Sequence, residues 1–234
     1  YGKDDVSLDM GKASVESVSG QTDANHQIDA SSAKEGVSVS LRGGDDQVSG
    51  SAHNDSINAG DGNNKVEGGA GDDRLYGHSG GTDYLSGCAG NDSIYADGND
   101  TIDGGEGTDR VYTYGKDDVS LDMGKASVES VSGQTDANHQ LDASSAEERV
   151  SVSLRAGDDK VAGSAHSDSI NLGDGNNKVD GSAGNDSLTA GKGDDALYGG
   201  YGNDSLNAGD GQNKVEGGTA AGRQGCQRRG IEEH

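Results

Sequence analysis

The sequence predicts an all-β fold in which short parallel strands stack into a coil, a β-solenoid. Two observations carry this prediction: a nine-residue period and a scarcity of apolar residues. From Leu154 the sequence divides into seven consecutive nonapeptides, LRAGDDKVA, GSAHSDSIN, LGDGNNKVD, GSAGNDSLT, AGKGDDALY, GGYGNDSLN and AGDGQNKVE. Gly is favoured at positions 2 and 4, Asp or Asn occupies position 6, and Val, Ile or Leu occupies position 8.

The apolar content is too low for a conventional core. Leu, Ile and Val make up 33 of the 234 residues, 42 are Gly, and Pro, Phe and Trp are absent. That aliphatic share is below the roughly 20% under which a highly charged chain is expected to be disordered. Two interpretations remain: an acidic disordered chain, or a repeat structure stabilised by something other than apolar burial.

The net charge of −24 indicates the class of partner. Such acidity argues against binding to nucleic acid or to anionic membrane surfaces, and it favours cations. No apolar run approaches the length of a transmembrane helix, so we expect no insertion into a membrane.

Each nonapeptide predicts one short strand and one turn. The aliphatic residue at position 8 lies between polar neighbours, which is the pattern of a strand with one side chain inward and two outward. The six residues before it must reverse the chain, and Gly supplies the positive φ that a tight turn needs. Two units then complete a coil of about 18 residues, with parallel strands about 4.8 Å apart. Helices are disfavoured because each interior Gly would cost about 1 kcal/mol.

A second, longer repeat divides the chain. Residues 1–27 recur without change at residues 114–140. We therefore predict a first unit over 1–113, with irregular solenoid turns at 1–40 and nonapeptides at 41–112. A second unit follows over 114–218, with irregular turns at 114–153 and nonapeptides at 154–218. The tail over 219–234 lacks the period, and we expect it to be disordered.

The position-6 carboxylates predict a metal. Aspartates on the same side of the coil would stack about 5 Å apart, where two unit charges repel by roughly 3 kcal/mol at an effective dielectric of 20. A cation between successive turns would remove that repulsion. Carboxylate and carbonyl oxygens without paired His or Cys favour Ca²⁺ over Zn²⁺ or copper.

Two units carry a family resemblance. GGYGNDSLN at 199–207 and GGAGDDRLY at 68–76 match G-G-x-G-x-D-x-U-x at every position, so the chain resembles the RTX (hemolysin-type) calcium-binding nonapeptide-repeat family. The resemblance implies a right-handed parallel β-roll, with Ca²⁺ held in the turns by the position-6 Asp and by backbone carbonyls. It also implies export by bacterial type I secretion machinery and an extracellular location. The metal ligands implied are Asp46, Asp55, Asp73, Asp83, Asp92, Asp100, Asp109, Asp159, Asp168, Asp186, Asp195 and Asp204.

Three units depart from the pattern, because Asn64, Asn177 and Asn213 replace the position-6 Asp. Alternate units lie on opposite sides of a roll, so one row of the second copy holds Asp168, Asp186 and Asp204. The other row alternates Asp with Asn, and we expect better Ca²⁺ occupancy on the all-Asp row. The position-3 residues Asp61, Asp174 and Asp210 either compensate for the missing charge or are solvated turn residues, and we favour the latter.

Other chemical signals are weak. GHSGG at 77–81 matches the G-x-S-x-G nucleophile elbow around Ser79, but that motif requires a strand, a turn and a helix, and here it lies inside the repeats. We interpret it as a turn with one inserted residue and expect no enzyme activity. Cys88 and Cys226 lie in unlike contexts and are not expected to pair.

Two functional hypotheses follow. The first is a calcium-folded module of a secreted bacterial toxin, exoenzyme or surface protein. The second is a calcium-dependent module of the same fold that binds a polysaccharide or a cell surface, like an adhesin or an alginate-epimerase R-module. Tyr76, Tyr95, Tyr112 and Tyr198 all fall at position 9 and are expected to point outward. Across all units, however, positions 7 and 9 read as an irregular mixture of Ser, Lys, Arg, Asn and Tyr.

Overall fold

The computed structural model of the chain describes residues 5–13, 15–78 and 80–219. It contains short parallel strands wound into a β-solenoid, which confirms the predicted fold class. One helical turn, α1 (Met10–Ala13), interrupts the first irregular segment. Of the tail that we expect to be disordered, only Thr219 is among the described residues. Ser79 and Cys226 also lie outside them.

The strands form three sheets. The first short sheet contains β1 (Val6–Asp9), β3 (His26–Asp29), β5 (Gln47–Ser49), β7 (Lys65–Ala70), β9 (Tyr84–Ala89) and β11 (Thr101–Glu106). The long sheet contains β2 (Ser17–Ser19), β4 (Ser38–Ser40), β6 (Ser56–Gly60), β8 (Arg74–Gly77), β10 (Ser93–Ala96), β12 (Arg110–Thr113), β14 (Ser130–Gly133), β16 (Ser151–Ser153), β18 (Ser169–Asn171), β20 (Ser187–Thr189) and β22 (Ser205–Asn207). The second short sheet contains β13 (Val119–Asp122), β15 (His139–Asp142), β17 (Lys160–Ala162), β19 (Lys178–Asp180), β21 (Ala196–Tyr198) and β23 (Lys214–Glu216).

Successive strands of one coil alternate between opposite sheets, so each strand pairs in parallel with the strand two places along the chain, except that β11 and β13 do not pair. In the nonapeptides of the second copy the register brings together residues 18 apart, for example Ile170 with Leu188 and Leu188 with Leu206. In the first copy the spacing varies between 17 and 19 residues. In the irregular segments the coil is longer, and His26 meets its counterpart in the next coil 20 residues later. Inserted turn residues therefore leave the stacking of the strands intact.

The core is a thin double row of aliphatic side chains. The position-8 residues Val179, Leu188 and Leu197 are fully buried between the sheets. Met10 and Met123, in the irregular segments, are fully buried as well. Because each unit contributes so little apolar area, the turns must supply much of what holds the coils together.

The long sheet runs through both copies of the coarse repeat, since β12 of the first copy pairs with β14 of the second. On the opposite side the first short sheet ends at β11 and the second begins at β13. No helix in the described ranges is long and apolar enough to cross a membrane.

Candidate metal centre

The position-6 side chains form a hydrogen-bond ladder along each side of the solenoid. The backbone N–H of one position-6 residue donates to the side-chain Oδ1 of the position-6 residue in the next coil. Asp55 donates to Asp73 at 2.7 Å, and Asp73 donates to Asp92 at 2.7 Å. Asp168 donates to Asp186 at 2.9 Å in the same way. The sequence prediction that these residues stack is thus met by a specific contact.

The predicted ligands fall into two rows. The row beside the long sheet holds Asp55, Asp73, Asp92, Asp109, Asp168, Asp186 and Asp204. The row beside the short sheets holds Asp46, Asp83, Asp100, Asp159 and Asp195, together with Asn64, Asn177 and Asn213. Nothing in the structure ranks the two rows by metal occupancy, so that expectation stays a prediction.

The second oxygen of most of these carboxylates has no partner. Oδ1 accepts the ladder hydrogen bond, whereas Oδ2 is buried and receives none. A buried charged oxygen left unpaired costs several kcal/mol, so such a repeat is unusual in a folded protein. The residues with an orphaned Oδ2 are Asp46, Asp73, Asp83, Asp92, Asp109, Asp159, Asp186, Asp195 and Asp204.

The asparagines reveal what surrounds that oxygen. The side-chain Nδ2 of Asn177 donates to the carbonyl oxygens of Gly173 and Gly175, at 3.3 and 3.1 Å. Asn64 donates to the equivalent carbonyl of Gly60 at 3.1 Å. The amide therefore satisfies carbonyl oxygens of its own turn. Where Asp replaces Asn, a negative oxygen takes the place of the amide donor, and the turn lacks a positive group.

In the row beside the long sheet, glycine at position 1 leaves room beside the orphaned oxygen. A Cβ added at Gly181 would lie 2.5 Å from Oδ2 of Asp186 and 2.6 Å from the carbonyl oxygen of Gly199 in the next coil. The φ of Gly181 is not positive, so the requirement for Gly is one of space. A small cradle lined by carboxylate and carbonyl oxygens results.

Burial raises the carboxylate pKa values in the absence of metal. Loss of hydration is the largest cause, neighbouring carboxylates add to it in most of the row, and the ladder hydrogen bond opposes it. The pKa rises to about 7 for Asp73 and Asp109 and to about 6 for Asp83, Asp100 and Asp186. Without a cation, Asp73 and Asp109 would therefore be partly protonated at neutral pH, whereas Asp83, Asp100 and Asp186 would be mostly ionised.

Three predicted ligands are satisfied from within the chain. Both oxygens of Asp168 accept hydrogen bonds from Ser164, from its N–H at 2.7 Å and its hydroxyl at 2.8 Å. Asp55 has the same arrangement with Ser51. Oδ2 of Asp100 accepts the N–H of Asp97 at 2.9 Å. These carboxylates have less need of a cation than the other nine.

Sequence reasoning missed several members of the rows. His139 occupies position 6 of its strand, with its N–H 2.7 Å and its Nδ1 3.1 Å from Oδ1 of Asp159. Its Nε2 lies 2.8 Å from the hydroxyl of Thr113. Glu129 accepts the N–H of Asp109 at 2.7 Å. Both could have been found from the sequence, because the triplets ESV at 129–131 and HQL at 139–141 fit the pattern of positions 6 to 8.

The remaining candidates lie at the surface or make local contacts. Asp61, Asp174 and Asp210 are exposed, and Asp174 accepts the N–H of Lys192 at 2.9 Å, as solvated turn residues would. Cys88 is a free, partly buried thiol.

No side-chain cluster within the described ranges could hold a metal ion by itself, since no group of three or more His, Cys, Asp or Glu side chains converges there. A cation in the rows would take part of its coordination from the backbone. The carbonyls that the asparagine amides contact are available for this, and hard oxygen ligands of this kind suit Ca²⁺. The residues present therefore fit the predicted metal.

Comparison with known families agrees with this geometry. The model of the RTX calcium-binding nonapeptide repeat matches residues 49–81, 79–111, 155–188 and 180–215. These matches cover just over half of the chain, and the protein belongs to this family. No curated protein matches the sequence. The chain is a calcium-binding repeat module of the β-roll type.

Proposed function

We propose that the chain is a calcium-folded module of a secreted bacterial toxin, exoenzyme or surface protein, without catalytic activity of its own, which folds after type I secretion. One observation carries the metal dependence: the same turn position holds an amide donor in the Asn units and an unpartnered, buried carboxylate oxygen in the Asp units. In the Asn units the amide satisfies the turn carbonyls. In the Asp units the turn needs a positive group beside the carboxylate oxygen.

Candidate ligands are the nine carboxylates with an orphaned Oδ2, together with carbonyl oxygens of the turns. Bound Ca²⁺ would supply the positive charge and accept oxygen ligands from successive coils. Asp55, Asp100 and Asp168 are expected to contribute least, because each Oδ2 already accepts an N–H.

The thin core supports a coupling of binding to folding. Position 8 buries one aliphatic side chain per unit, which is little to set against the conformational entropy of nine residues. A ligand that binds only the folded state adds its binding free energy to stability. Extracellular calcium modules have dissociation constants of about 10⁻⁴–10⁻³ M, so such a chain would stay unfolded at cytosolic calcium and fold outside the cell. RTX repeat proteins are typically secreted bacterial proteins, which supports the proposed location.

Far-UV circular dichroism during a calcium titration, with magnesium as the control, tests this proposal. We expect a cooperative change from coil to β signal in calcium alone, at or below millimolar concentration. A full β signal in chelator would contradict it, because the coils would then hold together without a cation.

A further inference from the structure

The boundary between the two copies of the coarse repeat differs between the two sides of the solenoid. On the side of the short sheets, strand pairing stops at β11 and starts again at β13. On the side of the long sheet, β12 of the first copy pairs with β14 of the second. The row of carboxylates beside the long sheet therefore has a neighbouring coil in the second copy.

Glu129 continues this row by one coil. Asp109 is the last position-6 aspartate of the first copy, and its backbone N–H donates to Oε2 of Glu129 at 2.7 Å. Asp186 makes the same contact with Oδ1 of Asp204, at 3.0 Å, within the second copy. Glu129 thus takes the place of a position-6 aspartate, although it lies in the irregular segment and outside the four stretches that match the family model.

A cradle like the one beside Asp186 lies between the two copies. A Cβ added at Gly104 would lie 2.6 Å from Oδ2 of Asp109 and would also meet the carbonyl oxygen of Ser127 in the next coil. Gly181 has the same two kinds of neighbour, namely Oδ2 of Asp186 and a carbonyl oxygen of the next coil. At Gly104, however, that carbonyl belongs to the second copy.

Asp109 is the unpartnered group of this cradle. Its side chain is 0% exposed, and its Oδ2 accepts no hydrogen bond. The nearby N–H of Gly104 already donates to the carbonyl oxygen of Ala126 at 2.7 Å. Burial is the largest cause of the raised pKa of Asp109, and the charges of Asp92 and Glu129 add to it. A cation between Asp109 and Glu129 would offset both the buried charge and the repulsion.

The row stops one coil further on. Val150 pairs in register with Glu129, since the strands that follow them place Ser130 beside Ser151. It supplies no carboxylate, and its N–H donates to Oδ1 of Asp168 at 2.8 Å. The gap in the carboxylate row is therefore one coil away from the gap between the short sheets. A cation at Asp109 would lie at the level where the short sheets are interrupted.

We propose that Asp109, Glu129 and the carbonyl oxygen of Ser127 form a Ca²⁺ site shared between the two copies, and that this site makes the copies fold as one cooperative unit. Carboxylate and carbonyl oxygens are the ligands that Ca²⁺ prefers. Because the ligands come from both copies, the ion stabilises only the state in which both are folded. This inference rests on the proposed function, since it requires calcium in the rows.

Glu16 provides a matched control, because the two copies begin with the same sequence. It is the residue of the first copy that is equivalent to Glu129. Unlike Glu129, it is exposed, and it precedes β2, the first strand of the long sheet, so no coil of described residues lies before it. The variant E16Q therefore removes the same charge in the same local sequence, away from the shared site.

The test is a calcium titration of the full chain followed by two probes. The stacked rings of Tyr76, Tyr95 and Tyr112 lie in the first copy, so near-UV circular dichroism reports mainly on that copy. Far-UV circular dichroism reports on both copies. In the parent we expect both signals to change at the same calcium concentration, as a single cooperative transition requires.

The variant E129Q keeps an acceptor for the N–H of Asp109 and removes only the charge. Its far-UV change should separate into two steps whose midpoints differ by at least about two-fold, and one of them should coincide with the near-UV change. Equilibrium dialysis should find one Ca²⁺ fewer in E129Q than in the parent. E16Q should bind as many ions as the parent and keep a single transition.

The outcomes separate the two proposals. A chain that stays unfolded in calcium would overturn the proposed function and this inference together. Different midpoints for the two probes in the parent would overturn the inference alone, even if E129Q did not fold. A single transition or an unchanged number of ions in E129Q would overturn it as well. Equal effects of E16Q and E129Q would do the same, because they would assign the change to net charge.

Discussion

The backbone N–H of Asp168 donates to Oδ1 of Asp186 at 2.9 Å, so two acidic residues in adjacent coils are joined directly. The contact satisfies one oxygen of Asp186 and leaves Oδ2 buried without a partner. Asp168 differs, since Ser164 donates to both of its oxygens. Because one carboxylate of this row is satisfied and its neighbour is not, the same substitution at each of the two residues gives a matched pair of experiments.

Replacing Asp186 with Asn should stabilise the metal-free roll. The new amide can donate to turn carbonyls as Asn177 does, and a buried unpaired charge is removed. In chelator, with trimethylamine N-oxide added as an osmolyte to populate the metal-free roll, we expect the free energy of unfolding, measured by urea titration, to rise by about 1–3 kcal/mol. In calcium the gain on binding should shrink, because one candidate ligand is lost. An unchanged calcium response would show that Asp186 is not a ligand.

Replacing Asp168 with Asn should have the opposite effect in chelator. The amide nitrogen would take the place of Oδ2 and face the N–H of Ser164, so a satisfied acceptor is replaced by a donor. We expect a loss of about 1–3 kcal/mol in chelator and a similar loss in calcium, by the same urea titration. If D168N and D186N behaved alike, the distinction between satisfied and orphaned carboxylates would be wrong.

Replacing Gly181 with Ala should fill the cradle beside Asp186. The added Cβ would lie 2.5 Å from Oδ2 of Asp186, so the carboxylate must shift. Overpacking of this kind costs about 1–3 kcal/mol, and the midpoint of the calcium titration should move to higher concentration. Gly217 occupies the same repeat position with nothing within 4 Å of an added Cβ, so G217A is the control. Equal effects at both positions would point to backbone entropy alone.

The metal-free roll should become more stable as the pH falls from 8 to 5. Folded-state pKa values of about 7 for Asp73 and Asp109 and about 6 for Asp83 and Asp186 lie above the usual value near 4 for an unfolded chain. The folded state therefore binds more protons in this range, and the stabilisation is lost as the pH rises through about 6–7. Thermal melts in chelator at several pH values, with the same osmolyte present to populate the roll, measure it. Stability that rises with pH over this range would contradict the raised pKa values.

Much of the fold could be predicted because one period determines it. Val179 and Leu188 occupy position 8 and are fully buried, as the alternation of inward and outward side chains requires. The stacking of Asp73 on Asp92 follows from the same period. These features depend on local spacing, which the sequence displays directly.

Features that depend on pairs of coils could not be predicted in the same way. The coil that joins His139 to Asp159 has 20 residues, so a strict nine-residue frame misses His139. The pairing of Ser164 with Asp168 depends on the direction of one backbone N–H in the turn. The rings of Tyr76, Tyr95 and Tyr112 stack on one another in the long sheet, and this stack can be seen only when the units of one face are separated from those of the other.

The break between the two short sheets, opposite a continuous long sheet, has a mechanical consequence. Backbone hydrogen bonds between coils run parallel to the solenoid axis, so an axial pull loads the interfaces between coils in series. At most of these interfaces strands pair on both sides of the solenoid. Between the coils of β11 and β13, strand pairing is limited to β12 with β14 in the long sheet. Under axial tension the roll should therefore separate first at this junction, leaving the units over 1–113 and 114–218 as two mechanically independent rolls.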